Sequence, residues 1–206
     1  MKKLIFISSI LVFTLVGFVS PQSEKLLKSK DFVWCGIDYS EVKCIGSHGF
    51  NEPDQIKNRY FAGWNNLIML EPKKYDLKKF YKKDGQVEDF SVVNKRNEKP
   101  VIKELVIDEP YSFKEGQLEK IVKTYNLEKA KEGLGLVYVM ESLDKNSQKA
   151  TMHVVFFDIA TKNILWTQKY VEPAGGFGFR NYWASPIYRT MRVSSSDFAK
   201  KLKSIK

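Results

Sequence analysis

Cysteine and histidine are scarce in this 206-residue chain, with two of each, and that scarcity removes whole classes of chemistry. A structural zinc site needs several Cys or His ligands at set spacings, which Cys35, Cys44, His48 and His153 do not supply. Two cysteines are also too few for a disulfide framework. They lie in the run FVWCGIDYSEVKCI, and on one straight strand, rising about 3.3 Å per residue, their sulfurs stand too far apart to bond. Only a turn around Asp38 to Glu41 would join them, so the expectation is two buried, reduced thiols. The glycines at 175, 176 and 178 are followed by no lysine at phosphate-loop spacing, and neither a dinucleotide fingerprint nor a G-x-S-x-G elbow occurs. Internal repeats and low-complexity tracts are missing as well. No metal and no cofactor are expected.

Long apolar runs are rare too: there is one, Leu4 to Val19, uninterrupted by charge and preceded by Lys2 and Lys3. That is the layout of a secretory signal, somewhat shorter than the roughly 20 residues of a spanning helix, and no cysteine follows closely enough for lipid modification. The expected organisation is a signal peptide over 1–20, a Ser- and Lys-rich tether over 21–30 and one domain over 31–206. The protein is therefore expected to be periplasmic or secreted, and to meet a membrane only through an uncleaved signal or peripheral contact. Acidic residues are in deficit, 24 against 34 Lys and Arg. Loss of Lys2 and Lys3 with the signal lowers the net charge from +10 to +8. Outside the cell such a surplus suits anionic glycans, lipid headgroups or acidic proteins, although a solvated face that maintains solubility explains it as simply. The basic residues are scattered, and nucleic acid is not an expected partner.

A hydrophobic fraction of 43 % with 14 % aromatics fits a packed globule. Phe32 to Ile45 reads as strand, with Gly36 marking a bulge or bend. Ile56, Tyr60, Trp64, Leu67 and Ile68 recur at helical spacing after Asn51, and a short basic helix is predicted from Asp76 to Lys83. Phe90 to Val93 and Val101 to Ile107 read as strands. Ser112 and Glu115 form a capping box for a helix that carries Leu118, Ile121, Val122 and Tyr125. Leu136 to Leu143, Ala150 to Ile159 and Ile164 to Val171 have short connections that favour an antiparallel meander. Ser185 and Pro186 suit the start of a terminal helix. These readings predict an α+β fold: a mainly antiparallel sheet packed against two or three helices as a two-layer sandwich.

The segment AGGFGFRNYWASP offers the densest set of candidate binding residues. Phe179, Arg180, Asn181, Tyr182 and Trp183 combine aromatic planes for stacking with directed donors, beside Phe177 and three glycines. The same residues also suit a plug at the end of the sheet. A second, enzymatic possibility is a hydrolase in which His48 works with Ser47, Ser40 or Asp38; His153 reads as a strand residue with a satisfied ring. A catalytic signature is otherwise lacking, and a non-enzymatic role is the preferred expectation.

The run from Val122 to Val171, VKTYNLEKAKEGLGLVYVMESLDKNSQKATMHVVFFDIATKNILWTQKYV, followed by GFGFRNYWASPI, resembles an uncharacterised family of secreted bacterial proteins. More loosely, the turn around Asp158, Thr161, Leu165 and Trp166 is similar to the small α/β domain of periplasmic Tol-system proteins and of lipoprotein activators of cell-wall synthases. Those relatives act by binding other proteins. The resemblance therefore implies an accessory role in the envelope, with an envelope protein or a glycan as partner; the chain departs from the lipoproteins in lacking their lipid-bearing cysteine.

Overall fold

The computed structural model describes residues 21–205, so the signal expected over 1–20 lies outside the described residues. In chain order the elements are helix α1 (Pro21–Lys28), strands β1 (Asp31–Asp38) and β2 (Lys43–Ile45), and a 3₁₀ turn at Ser47–Gly49. A helical stretch follows, from α2 (Pro53–Gln55) through a π-turn (Ile56–Tyr60) into α3 (Phe61–Leu70). Next come α4 (Leu77–Tyr81), β3 (Gly85–Glu88), α5 (Ser91–Asn97), α6 (Ile102–Leu105), β4 (Val106–Ile107) and α7 (Gln117–Lys123). The chain then forms β5 (Leu134–Asp144), β6 (Lys149–Asp158), β7 (Ile164–Pro173) and the long helix α8 (Phe179–Ser204).

The seven strands form one mixed sheet, and its amino-terminal part is parallel: β1 pairs with β3 and β5, and β2 with β4 and β5. This is an α/β fold and overturns the expected mainly antiparallel α+β sandwich. Only β6 and β7 join through antiparallel pairs, along β5 and then along each other. Because β6 occupies one edge of β5 from Leu134 to Asp144, β1 and β2 must share its other edge, end to end. The apolar run Phe32 to Ile45 is thus one interrupted line, broken at Tyr39 to Val42.

Alternation sorts the side chains onto two covered faces. Trp34, Leu136, Tyr138, Met152, Val154 and Phe156 pack beneath α3, α4 and α8, while Val33, Val137, Val139, Val155 and Phe157 pack beneath α5 and α7. The result is three layers rather than the two expected, because a parallel sheet buries both faces. Cys35 belongs to the second face and Cys44 to the first, which keeps them free and unbridged; burial pushes both thiols up.

The remaining differences have local causes. Over the expected tether, α1 packs Leu26 into the core at 1 % exposure, and Lys25 reaches Asp158 at 2.6 Å. The predicted strands Phe90–Val93 and Val101–Ile107 give way to α5 and α6, with only Val106–Ile107 extended. The Asp89 carboxylate turns the chain into α5 by accepting from the Ser91 amide at 3.1 Å and the Lys129 amide at 2.7 Å. The capping box at Ser112 is not formed, because Gly116 in the left-handed region starts α7 at Gln117. Finally, α8 begins at Phe179 and leaves Pro186 inside it. Proline cannot donate to Tyr182 O, and the Gly175 amide donates there instead at 3.1 Å.

Gly36 sits at a bulge in β1, at φ 96°, where a Cβ would stand 2.8 Å from Asn65 Oδ1. That oxygen accepts the Ile37 amide at 2.7 Å, Asn65 Nδ2 donates to Ile37 O, and Asn97 Oδ1 accepts the Tyr39 amide at 2.6 Å. β3 pairs only with Asp31 to Trp34. Beyond it, two asparagine side chains satisfy the open edge of β1.

Candidate functional site

Two features gather at the carboxyl ends of β1, β2, β5 and β7. The first is the loop and helix start from Ala174 to Trp183. Gly178 adopts φ 79° and ψ 149°, a region essentially restricted to glycine, and turns the chain into α8. Helical periodicity then sorts the five predicted residues. Trp183 turns inward at 1 % exposure and stacks on Phe50 with centroids 5.4 Å apart. Phe179, one turn earlier, is half-buried against Tyr60 at 4.7 Å and Phe50 at 6.1 Å. Trp64 Nε1–H donates to the Arg180 carbonyl at 2.9 Å. Tyr182 is half-buried, with the Lys145 ammonium 4.3 Å over its ring. Arg180 and Asn181 face solvent.

Of the residues first singled out, Trp183 therefore belongs to the core, Phe179 and Tyr182 to its rim, and only Arg180 and Asn181 to the surface. The exposed aromatic is Phe177, at 96 %. It is held from both sides: Asn181 Nδ2 donates to Phe177 O at 3.2 Å, and the Gly175 amide ties the loop back to Tyr182 O.

His48 occupies the exposed 3₁₀ turn, where the Ser47 amide donates to Asp108 Oδ1 at 2.7 Å. No hydrogen bond joins His48 to Ser40, Ser47 or Asp38 among the described residues, so no nucleophile and base pair is assembled there. Asp38 and Ser40 belong to the second feature, which the sequence did not announce.

Asp38 ends β1 at 0 % exposure, and its Oδ2 accepts from Arg96 Nε and from the Tyr125 hydroxyl, each at 2.6 Å. Its Oδ1 accepts the Ser40 amide at 2.8 Å. Arg96 donates in addition to Thr124 Oγ1 at 2.8 Å and Ser40 Oγ at 2.6 Å. Arg96 lines an open cleft of about 610 Å³ whose walls include Glu41, Lys99, Tyr111, Lys114 and Lys120. Its position follows from topology. β1 ends at Asp38, and α5 and α7, packed on the second face, bring Arg96, Thr124 and Tyr125 to that end.

One wall of this cleft is the strap Tyr111 to Gly116, anchored by a three-strand cluster. Glu141 Oε2 meets His153 Nε2 at 2.9 Å and Oε1 accepts from Lys169 Nζ at 2.6 Å, while the Phe113 ring stacks on His153 at 5.2 Å. His153 is thus a satisfied strand residue. Burial opposes ionisation of Glu141, but hydrogen bonds from His153, Lys169 and the Phe113 amide outweigh it and hold the carboxyl below its ordinary 4.5. Asp89 and Asp158 are likewise held below 3.8: burial again opposes, and the Ser91 hydroxyl, amide donors and Lys25 prevail.

Because the folded-state values are depressed, the unfolded chain takes up protons first as pH falls. The stabilisation is complete above the ordinary carboxyl range and is lost as pH drops through the depressed values, below about pH 4. Urea midpoints measured from pH 7 to pH 3 should fall at the acid end. Glu141→Gln should lower the midpoint at pH 7 and flatten that fall; an unchanged slope would remove Glu141 from the account.

Among the described residues, no group of three or more His, Cys, Asp or Glu side chains is placed to hold a metal ion, and no helix is long and apolar enough to cross a membrane. Compared with known proteins, the chain matches no family model and no curated sequence.

Proposed function

We propose that this chain is a non-catalytic binding or accessory protein of the cell envelope, periplasmic or secreted, that engages an envelope protein or glycan through the surface around Phe177, Arg180 and Asn181. The observation that carries the reading is Phe177: a large apolar ring, 96 % exposed, on a loop fixed by hydrogen bonds at both ends. Exposing a phenylalanine to water forgoes its burial, roughly 1.5–3 kcal/mol, and an exposed aromatic beside an arginine is the composition of an interface anchor. Arg180 has no acidic side chain within ion-pair distance among the described residues, which leaves its planar fork for a carboxylate or a hydroxyl-rich ligand. The lysine surplus adds long-range attraction to anionic partners.

The test is a Phe177→Ala/Arg180→Ala double variant, used as bait against solubilised envelope proteins and against isolated cell-wall glycan. Capture by the natural chain should be lost in the variant, while the melting temperature stays within about 2 °C, as expected for surface substitutions. Capture that survives both changes would overturn the reading.

A further inference from the structure

The cleft at the end of β1 bears on ligand binding independently of the Phe177 surface. Arg96 is 5 % exposed, and its guanidinium is locked by Asp38, Ser40 and Thr124. Those bonds take three of its five N–H groups. The other two, one on each terminal nitrogen, have no acceptor among the described residues, and Arg96 is one of the residues lining the cleft. An arginine fixed in this way is a directional donor whose orientation no longer costs side-chain entropy.

Because Asp38 neutralises that guanidinium, the charge of the cleft comes from elsewhere. Lys99, Lys114 and Lys120 stand on its rim, opposed by Glu41 and Glu115. Tyr111 crosses the same wall: its hydroxyl donates to Glu41 O at 3.2 Å and accepts from Gln117 Nε2 at 3.3 Å. The volume, about 610 Å³, falls within the range of small-molecule sites.

We propose that this cleft binds a small ligand through one oxyanion group, a carboxylate or a phosphoryl, received by the two remaining N–H groups of Arg96 and countered by Lys114 and Lys120. The two glutamates suit a ligand that also carries hydroxyl or amino groups. The cleft lies beside the carboxyl end of β1, separate from the aromatic loop.

The experiment is an NMR titration of the isotope-labelled protein with inorganic phosphate in one arm and acetate in the other. Binding should shift the side-chain N–H resonances of Arg96 and the amides of residues 40–41 and 111–120, and it should saturate. The arm that saturates at lower concentration identifies the preferred oxyanion. Lys114→Gln/Lys120→Gln, two exposed changes that leave the Arg96 network whole, should weaken that binding about tenfold or more. Shifts spread over lysines across the whole surface without saturation, or saturation indifferent to the double change, would overturn the proposal. Loss of envelope capture in the Phe177 variant leaves this titration unaffected, so the two readings fail separately.

Discussion

Replacing Arg96 by methionine should destabilise the protein by about 3–5 kcal/mol, the largest single effect expected outside the aromatic core. Methionine keeps most of the apolar stem but leaves the Asp38 carboxylate at 0 % exposure with only the Tyr125 hydroxyl and the Ser40 amide for company. The loss is larger than the pair's own contribution, because the remaining charge stays out of water. Asp38→Leu combined with Arg96→Met should therefore recover a substantial part of the stability, since neither charge is then stranded. Urea unfolding followed by circular dichroism measures both. A single-variant loss below about 1 kcal/mol, the size of an exposed pair, would mean that water reaches Asp38.

Trp183→Ala should cost about 3–5 kcal/mol, as large-to-small changes of buried aromatics do. The indole is 1 % exposed and stacked on Phe50, which in turn meets Phe179 and, through it, Tyr60 and Trp64. For a chain of this length the corresponding drop in melting temperature is roughly 6–20 °C. Its neighbour three positions earlier behaves differently: Arg180→Ala should lie within about 0.5 kcal/mol of the natural chain. Equal losses at the two positions would contradict the inward and outward assignment of this helix start.

That contrast shows what sequence can convey here. The aromatic cluster of the segment was visible, but its sorting depended on where α8 begins. Pro186 suggested a start near 185, and the true start at Phe179 places Trp183 one turn on and inside. Pro186 is tolerated because a glycine amide seven residues before Tyr182 replaces the missing donor, a tertiary event without a local signature. Strand β3, GQVE, lacks alternation and bulk; it is a strand because β1 offers Asp31 to Trp34 as a parallel partner. The π-turn at Ile56–Tyr60 likewise left the helical spacing readable while shifting which residues share a face. β1 does carry a parallel signature, apolar on both faces from Phe32 to Ile37, but the run is equally strand-like in either direction. The Arg96 network was illegible, since Asp38, Ser40, Arg96, Thr124 and Tyr125 meet only after three crossovers bring β1, α5 and α7 together.

The hydrogen bond from the Gly175 amide to the Tyr182 carbonyl has an outcome beyond the helix it repairs. To swing away, the loop that carries Phe177 must abandon a carbonyl that the proline has already deprived of its usual donor, so loop displacement and fraying of the first turn of α8 become one event. The backbone beneath the ring is thereby tied to the start of α8, while the side chain itself, 96 % exposed, keeps its rotamer freedom. A partner of the kind proposed above would meet a loop whose backbone was ordered during folding, and would itself have to fix only the ring.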